Sequence, residues 1–151
     1  MISPRQLVVI YDGTCGFCSN LARLIGRLDW RRAIVWMPSQ TAGLGEVVGL
    51  SETQLSEAAW AVLPSGDRRR GAGALLTAKD ALLPMGMPCF HALYRLPPVA
   101  WLADACYRWV AANRGRFPGR ATCDLAWPAP LEPGDAAELR RRRLPALAGG
   151  T

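Results

Sequence analysis

Apolar positions along the chain fall into short unbroken runs and longer periodic stretches. Leu7-Val8-Val9-Ile10-Tyr11 is a continuous run, the pattern of a strand buried on both faces. Asp12-Gly13-Thr14 breaks it. From Phe17 the apolar residues recur at Leu21, Leu24, Ile25 and Leu28, with Arg23 and Arg27 on the other face, which predicts a helix. Residues 33–37 form a second run that Pro38 closes. Strand, helix and strand with short connections make a βαβ unit with parallel strands. Residues 40–50 carry a weaker pattern and predict at most a short helix. Residues 58–63 read as a third strand, Pro64-Ser65-Gly66-Asp67 as a turn, and Arg68 to Arg70 as an exposed edge strand. Residues 72–83 are helix-like and stop before Pro84.

Beyond that, Pro84 and Pro88 predict a loop, residues 89–96 a short helical piece, and Pro98 the first turn of a longer helix. Val99, Leu102, Cys106, Trp109 and Val110 share one face of this helix, and Asp104 and Arg108 stand four apart as a surface pair. From Pro128 the chain is rich in Pro, Ala, Gly and Arg, and Asp135 is a candidate cap for a short helix to residue 144. The expected fold class is α/β, in the order β-α-β-α-β-β-α with additional C-terminal helices. Residues 1–127 are expected to form one domain, and residues 128–151 a loosely held tail.

With 151 residues, a chain buries roughly 68–70% of its unfolded surface and needs no disulfide framework. Half of it is hydrophobic and a fifth charged, the profile of a globular protein. The net charge of +6 is almost all arginine, Lys79 being the only lysine, and no basic helix with interleaved aromatics points to nucleic acid. The first strand follows Met1 to Arg5 too closely for a secretory apolar region. No charge-free apolar run approaches the ~18 residues of a membrane helix. A cytoplasmic location is the expectation, with membrane docking not favoured. The cysteines are Cys15, Cys18, Cys89, Cys106 and Cys123, an odd set that argues against a structural disulfide scaffold.

Chemistry concentrates in Tyr11-Asp12-Gly13-Thr14-Cys15-Gly16-Phe17-Cys18. A Cys-x-x-Cys pair that follows a buried strand and opens a helix next to a βαβ unit reads as a thioredoxin-like redox site. The helix N-terminus offers unpaired N–H groups and a dipole that favour a thiolate. Cys15 is therefore the expected nucleophile. Cys18, one turn on, is the expected resolving thiol, with Gly16 and Phe17 tuning the pair. The competing reading is a zinc knuckle or an idle pair. Zinc needs about four ligands, and Cys89, His91, Cys106 and Cys123 supply no second spaced pair. No cofactor and no metal are expected. Asp12 has two readings: a proton relay to the buried Cys18, or a turn residue whose carboxylate accepts backbone N–H bonds.

These residues resemble the DCC family of thiol–disulfide oxidoreductases, named for its Asp-x-x-Cys-x-x-Cys motif, which Asp12, Cys15 and Cys18 match. Tyr11 and Gly13 suit the surroundings of the motif. Gln40, the Ser65-Gly66-Asp67 turn, Ala74, Asn113-Arg114, Gly119 and Cys123 resemble later positions of the family, so the likeness runs over residues 6 to 125. It implies the thioredoxin-like superfamily and a thiol–disulfide oxidoreductase acting on protein or small-molecule disulfides, with an electron donor the sequence does not identify. One departure is plain. Thioredoxins and glutaredoxins place a cis-proline before the third strand, whereas this chain has Glu57-Ala58-Ala59-Trp60. A substrate peptide would then be held differently.

The remaining candidates have blander readings. Cys123 is either a third redox thiol, as the resemblance suggests, or a packing cysteine. Cys106 is expected in the core, Cys89 beside His91 as a helix start more than an activated thiol, and Trp101 and Trp109 as packing residues. Arg140 to Arg143 reads as a solvated run. The alternative function is a non-catalytic module of the same fold that binds a metal, or docks on a membrane or enzyme partner.

Overall fold

The computed structural model describes residues 1–83, 89–119 and 130–148. The elements are β1 (Leu7–Tyr11), α1 (Gly16–Leu28), β2 (Ile34–Pro38), α2 (Leu44–Val48), α3 (Glu52–Glu57), β3 (Trp60–Val62), β4 (Arg68–Arg70), α4 (Ala72–Leu82), α5 (Cys89–Tyr94), α6 (Pro97–Asn113) and α7 (Pro133–Ala148), with a 3-10 turn at Arg114–Arg116. The strands form one mixed sheet in the order β2-β1-β3-β4. β1 pairs parallel with β2 from Leu7–Ile34 to Tyr11–Pro38, as the βαβ reading requires. β3 runs antiparallel to β1 and β4 antiparallel to β3. This is a thioredoxin-like α/β fold.

β1 is central and buried throughout, which explains its unbroken apolar run. Its alternate side chains serve two cores. Val8, Ile10 and Val62 face Leu44, Val47, Val48, Leu50, Leu55 and Leu139. Leu7, Val9, Ile34 and Ala61 face Ala74 and Ala78 of α4, with Ile25 of α1 against them.

Helix α3 stands in a stretch that the periodicity left unassigned. Its signal is a capping box: Ser51 Oγ accepts from Gln54 N, and Gln54 Oε1 accepts from Ser51 N. β3 is shorter than the apolar run around it: just ahead of it, Ala59 keeps one bond on the β4 side and gives its N–H to a side chain. Its N–H donates to Tyr107 Oη at 2.9 Å and its carbonyl accepts from Gly71 N at 2.9 Å.

The largest departure is at the C-terminal end. The helix expected there is present as α7, but it starts at Pro133, two residues before the expected cap Asp135, and it is not loosely held: its Leu139 and Arg142 are each only 1% exposed. Arg142 is not part of a solvated run. Its guanidinium donates to Glu138 Oε1, Gln6 O and Ser3 O at 2.8–2.9 Å, so each of the groups it meets neutralises or accepts its charge. Asp135, in the first turn of α7, accepts from Ile2 N and pairs with the Met1 ammonium. Gly66 lies at φ +94°, and a Cβ there would collide with the carbonyl of Arg142, so the turn admits α7 only with glycine. Composition suggested a tail because the three contacts that dock it lie more than 130 residues away in sequence.

Candidate active site

β1 leads directly to the dithiol. After Tyr11 the chain turns on Asp12, whose Oδ1 accepts from Thr14 N at 3.0 Å, Thr14 Oγ1 at 2.6 Å and Gln40 Nε2 at 3.0 Å. Gln40 also accepts from Gly13 N through Oε1 at 3.0 Å, so one side chain clamps both sides of the turn. Cys15 N donates to Asp12 O at 3.2 Å, which closes it. Cys15 is then the N-cap of α1, with φ −85° and ψ 112°. Its Sγ accepts from Cys18 N at 3.3 Å, the position a capping oxygen usually takes. The sequence reading put Cys15 at the helix start, and that is where it lies.

Cys18 is half-buried, one turn in. Burial, with the hydrogen bond and charge of Cys15 and the charge of Asp12 added, pushes its thiol up to about 12, and Arg114 opposes the shift. Arg114 follows α6, and its Nη1 lies 3.1 Å from Asp12 Oδ2. Burial raises the Asp12 carboxyl, but the bonds from Thr14 and Gln40 and the Arg114 guanidinium outweigh it, and the group sits below its ordinary value. Asp12 thus combines the turn role with an ion pair across the site.

Segment 114–119 lies over the start of α1. Gly16 and Gly119 meet backbone to backbone, and a Cβ on either would collide with the other's carbonyl. Phe117 packs on Phe17 at 4.9 Å between ring centroids, and Trp109 meets Phe117 edge-on at 6.4 Å. Asn20 Nδ2 adds a long bond to Pro118 O at 3.4 Å. Gly16 is therefore needed for close approach, beyond any tuning of the thiols.

Cys106 is exposed and lines a cleft beside Cys18, so it does not belong to the core as its helical spacing suggested. α6 has no fully buried residue, and an apolar face there did not imply burial. Trp101 and Trp109 are 69% and 62% exposed, and Trp109 reaches Phe117 only through an edge. Cys89 is exposed. The His91 ring packs against Tyr94, and the backbone N–H groups of Phe90 and His91 both donate to the Asp80 carboxylate. Asp104 accepts from Tyr94 Oη at 2.8 Å. Cys123 lies outside the described residues. Among the described residues no group of three His, Cys, Asp or Glu side chains converges to hold a metal, and no helix is long and apolar enough to cross a membrane.

Residue-pattern reasoning missed Tyr107 and Trp36. Tyr107 carries the hydroxyl that satisfies Ala59, and Trp36 borders the cleft. Neither has a local signal, since each acts through contacts distant in sequence. No curated protein and no solved structure matches the chain. The sequence pattern of the DCC1-like thiol-disulfide oxidoreductase family matches residues 9–120, from inside β1 to the residue after Gly119. With the dithiol at a helix N-terminus on a thioredoxin-like sheet, and a match over most of its length, this chain belongs to the DCC1-like thiol-disulfide oxidoreductase family.

Proposed function

We propose that Cys15 and Cys18 exchange electrons with substrate disulfides, Cys15 attacking and Cys18 resolving. The observation that carries this is the placement of the Cys15 sulfur as the N-cap of α1, facing the Cys18 N–H at 3.3 Å. At that position the sulfur faces the open N–H end of the helix. In the first step the Cys15 thiolate bonds to one substrate sulfur, and the other sulfur leaves with the electron pair of the broken bond. In the second, Cys18 gives up its proton and bonds to the Cys15 sulfur, which releases the remaining substrate thiol. Starting from the thiolate, the protein loses two electrons and the Cys18 proton; the substrate leaves as one thiol and one thiolate, which takes from solvent the proton Cys15 had released on ionising.

The order of steps follows from the electrostatics. While Cys15 is a free thiolate, its charge and the hydrogen bond it accepts from the Cys18 thiol help to keep Cys18 protonated. Once that sulfur is in a mixed disulfide, the charge is gone, and Cys18 deprotonates more readily beside Arg114. Asp12 acts as a positioning residue: it holds Thr14, Gln40 and Arg114 around the dithiol. A cytoplasmic setting, where thiols are kept reduced, suits a dithiol that donates electrons.

Trapping tests the assignment. Cys18→Ser leaves attack intact and blocks release, so substrates should accumulate on Cys15 as bands that a reductant removes. Cys15→Ser should trap nothing. Trapping by Cys15→Ser alone would reverse the roles. Full activity in both variants would return weight to a non-catalytic module.

A further inference from the structure

A cavity of about 340 Å³ opens between α1, α4 and α6 and takes no part in the steps above. Leu21, Trp36, Leu75, Leu76, Tyr107 and Val110 form its walls, and Cys18 sits on its edge. It exists because α6 turns small side chains, Ala103 and Ala111, toward it. The two charged residues at its edge, Asp12 and Arg114, are paired with each other at 3.1 Å. A polar ligand group placed inside would lose water and gain little in return.

At Ala59, just ahead of β3, both backbone groups are already engaged. The Ala59 N–H is engaged by Tyr107 and its carbonyl by Gly71, so an extended chain finds no ready pairing partner at this residue. Small-molecule sites begin at about 300 Å³, so the cavity is of a size for a ring or a short alkyl group.

We propose that the substrate is a small disulfide with an apolar, ring-sized substituent, which fills this cleft while its sulfur meets Cys15. The proposal rests on the exchange reading of Cys15 and Cys18 and narrows its substrate to a low-molecular-weight class. The sulfur that stays bound to Cys15 after the first attack keeps its substituent in the cleft, next to the Cys18 that must displace it.

The test uses the reduced full chain in single turnover, so no electron donor is needed. Dibenzyl disulfide and bis(2-hydroxyethyl) disulfide are each reacted with it, loss of chain thiols is followed, and each rate is divided by the rate with dithiothreitol. Burial of a phenyl ring predicts a normalised preference of about tenfold or more for the benzyl compound. Bibenzyl, which has the same rings and no sulfur, should compete with dibenzyl disulfide and not with the hydroxyethyl compound. Ala103→Phe, which fills the cleft, should bring the preference toward one. Equal normalised rates, or no competition by bibenzyl on the native chain, overturn the cleft proposal and leave exchange standing. Failure of both disulfides to oxidise the chain overturns the exchange reading itself. The competition needs no variant, so it decides the matter even if Ala103→Phe fails to fold.

Discussion

The two faces of the sheet are built to different standards. On one, Val8, Ile10 and Val62 meet the side chains of α2, α3 and α7 in a closed core of large aliphatics. On the other, Val9 and Ala61 meet the alanines of α4, and α6 stands over a cleft without one fully buried residue. Large aliphatics fill space to the density at which a lost methylene is felt. Alanines leave room. The filled face holds the fold, and the under-packed face holds the dithiol and the space beside it. Stability and chemistry should then respond to different substitutions.

The largest effect expected is the loss of exchange in Cys15→Ser, down to the rate of free solution thiols, with the midpoint of thermal unfolding unchanged. A parallel fall in stability would break the contrast by making the site part of the structural core. Next comes Leu139→Ala on the filled face. Truncation of a fully buried leucine costs about 2–5 kcal/mol, and denaturant unfolding should show it while single-turnover exchange in the folded protein stays the same. A loss below about 1 kcal/mol would mean that α7 is peripheral after all.

Much of the open face was legible in the sequence, because its signals are local. The strand Leu7–Tyr11, the Asp12 turn and Cys15 at the helix start lie within ten residues of one another, and each is dictated by periodicity or turn chemistry. The filled face was half hidden. α7 is held by Arg142 reaching Ser3 and Gln6, and by Asp135 reaching Ile2, and nothing in a run of arginines distinguishes a buried one from three solvated ones. Cys106 failed in the opposite sense. Its spacing places it with apolar neighbours, but whether a helix face is covered depends on what lies opposite, and here that is a cleft. Of the two readings of Asp12, proton relay and turn residue, the bonds from Thr14 and Gln40 show the turn role.

A smaller effect is expected from Gly16→Ala. The added methyl meets the carbonyl of Gly119, which is backbone and cannot rotate away, so segment 114–119 must lift from α1. That should weaken the Phe17–Phe117 contact and the Arg114–Asp12 pair, and slow exchange severalfold with little change in unfolding. Cleavage by a protease within this segment should rise in the variant. An unchanged cleavage pattern would show that the two glycines meet by coincidence of packing and carry no constraint.

The smallest effect concerns acid. Hydrogen bonds from Arg141, opposed by some burial and reinforced by Arg142, hold the Glu138 carboxyl down to about 2, against an ordinary 4.5. The unfolded chain therefore binds a proton at Glu138 at higher pH than the folded chain does. Its contribution to stability is complete above 4.5, and it is lost as the pH falls toward 2. Glu138 bonds to Arg142, the side chain that ties α7 to Ser3 and Gln6, so the loss should fall on the filled face. Asp12 is also held low, on the open side, and contributes a slope of the same sign. Glu138→Gln separates the two. Unfolding of the variant followed between pH 5 and pH 2 should show a shallower loss than the native chain, with the residual slope belonging to Asp12 and the other carboxyls. Identical slopes would mean that the exposed Arg141 partner contributes little in water and that Arg142 is held by its backbone acceptors alone.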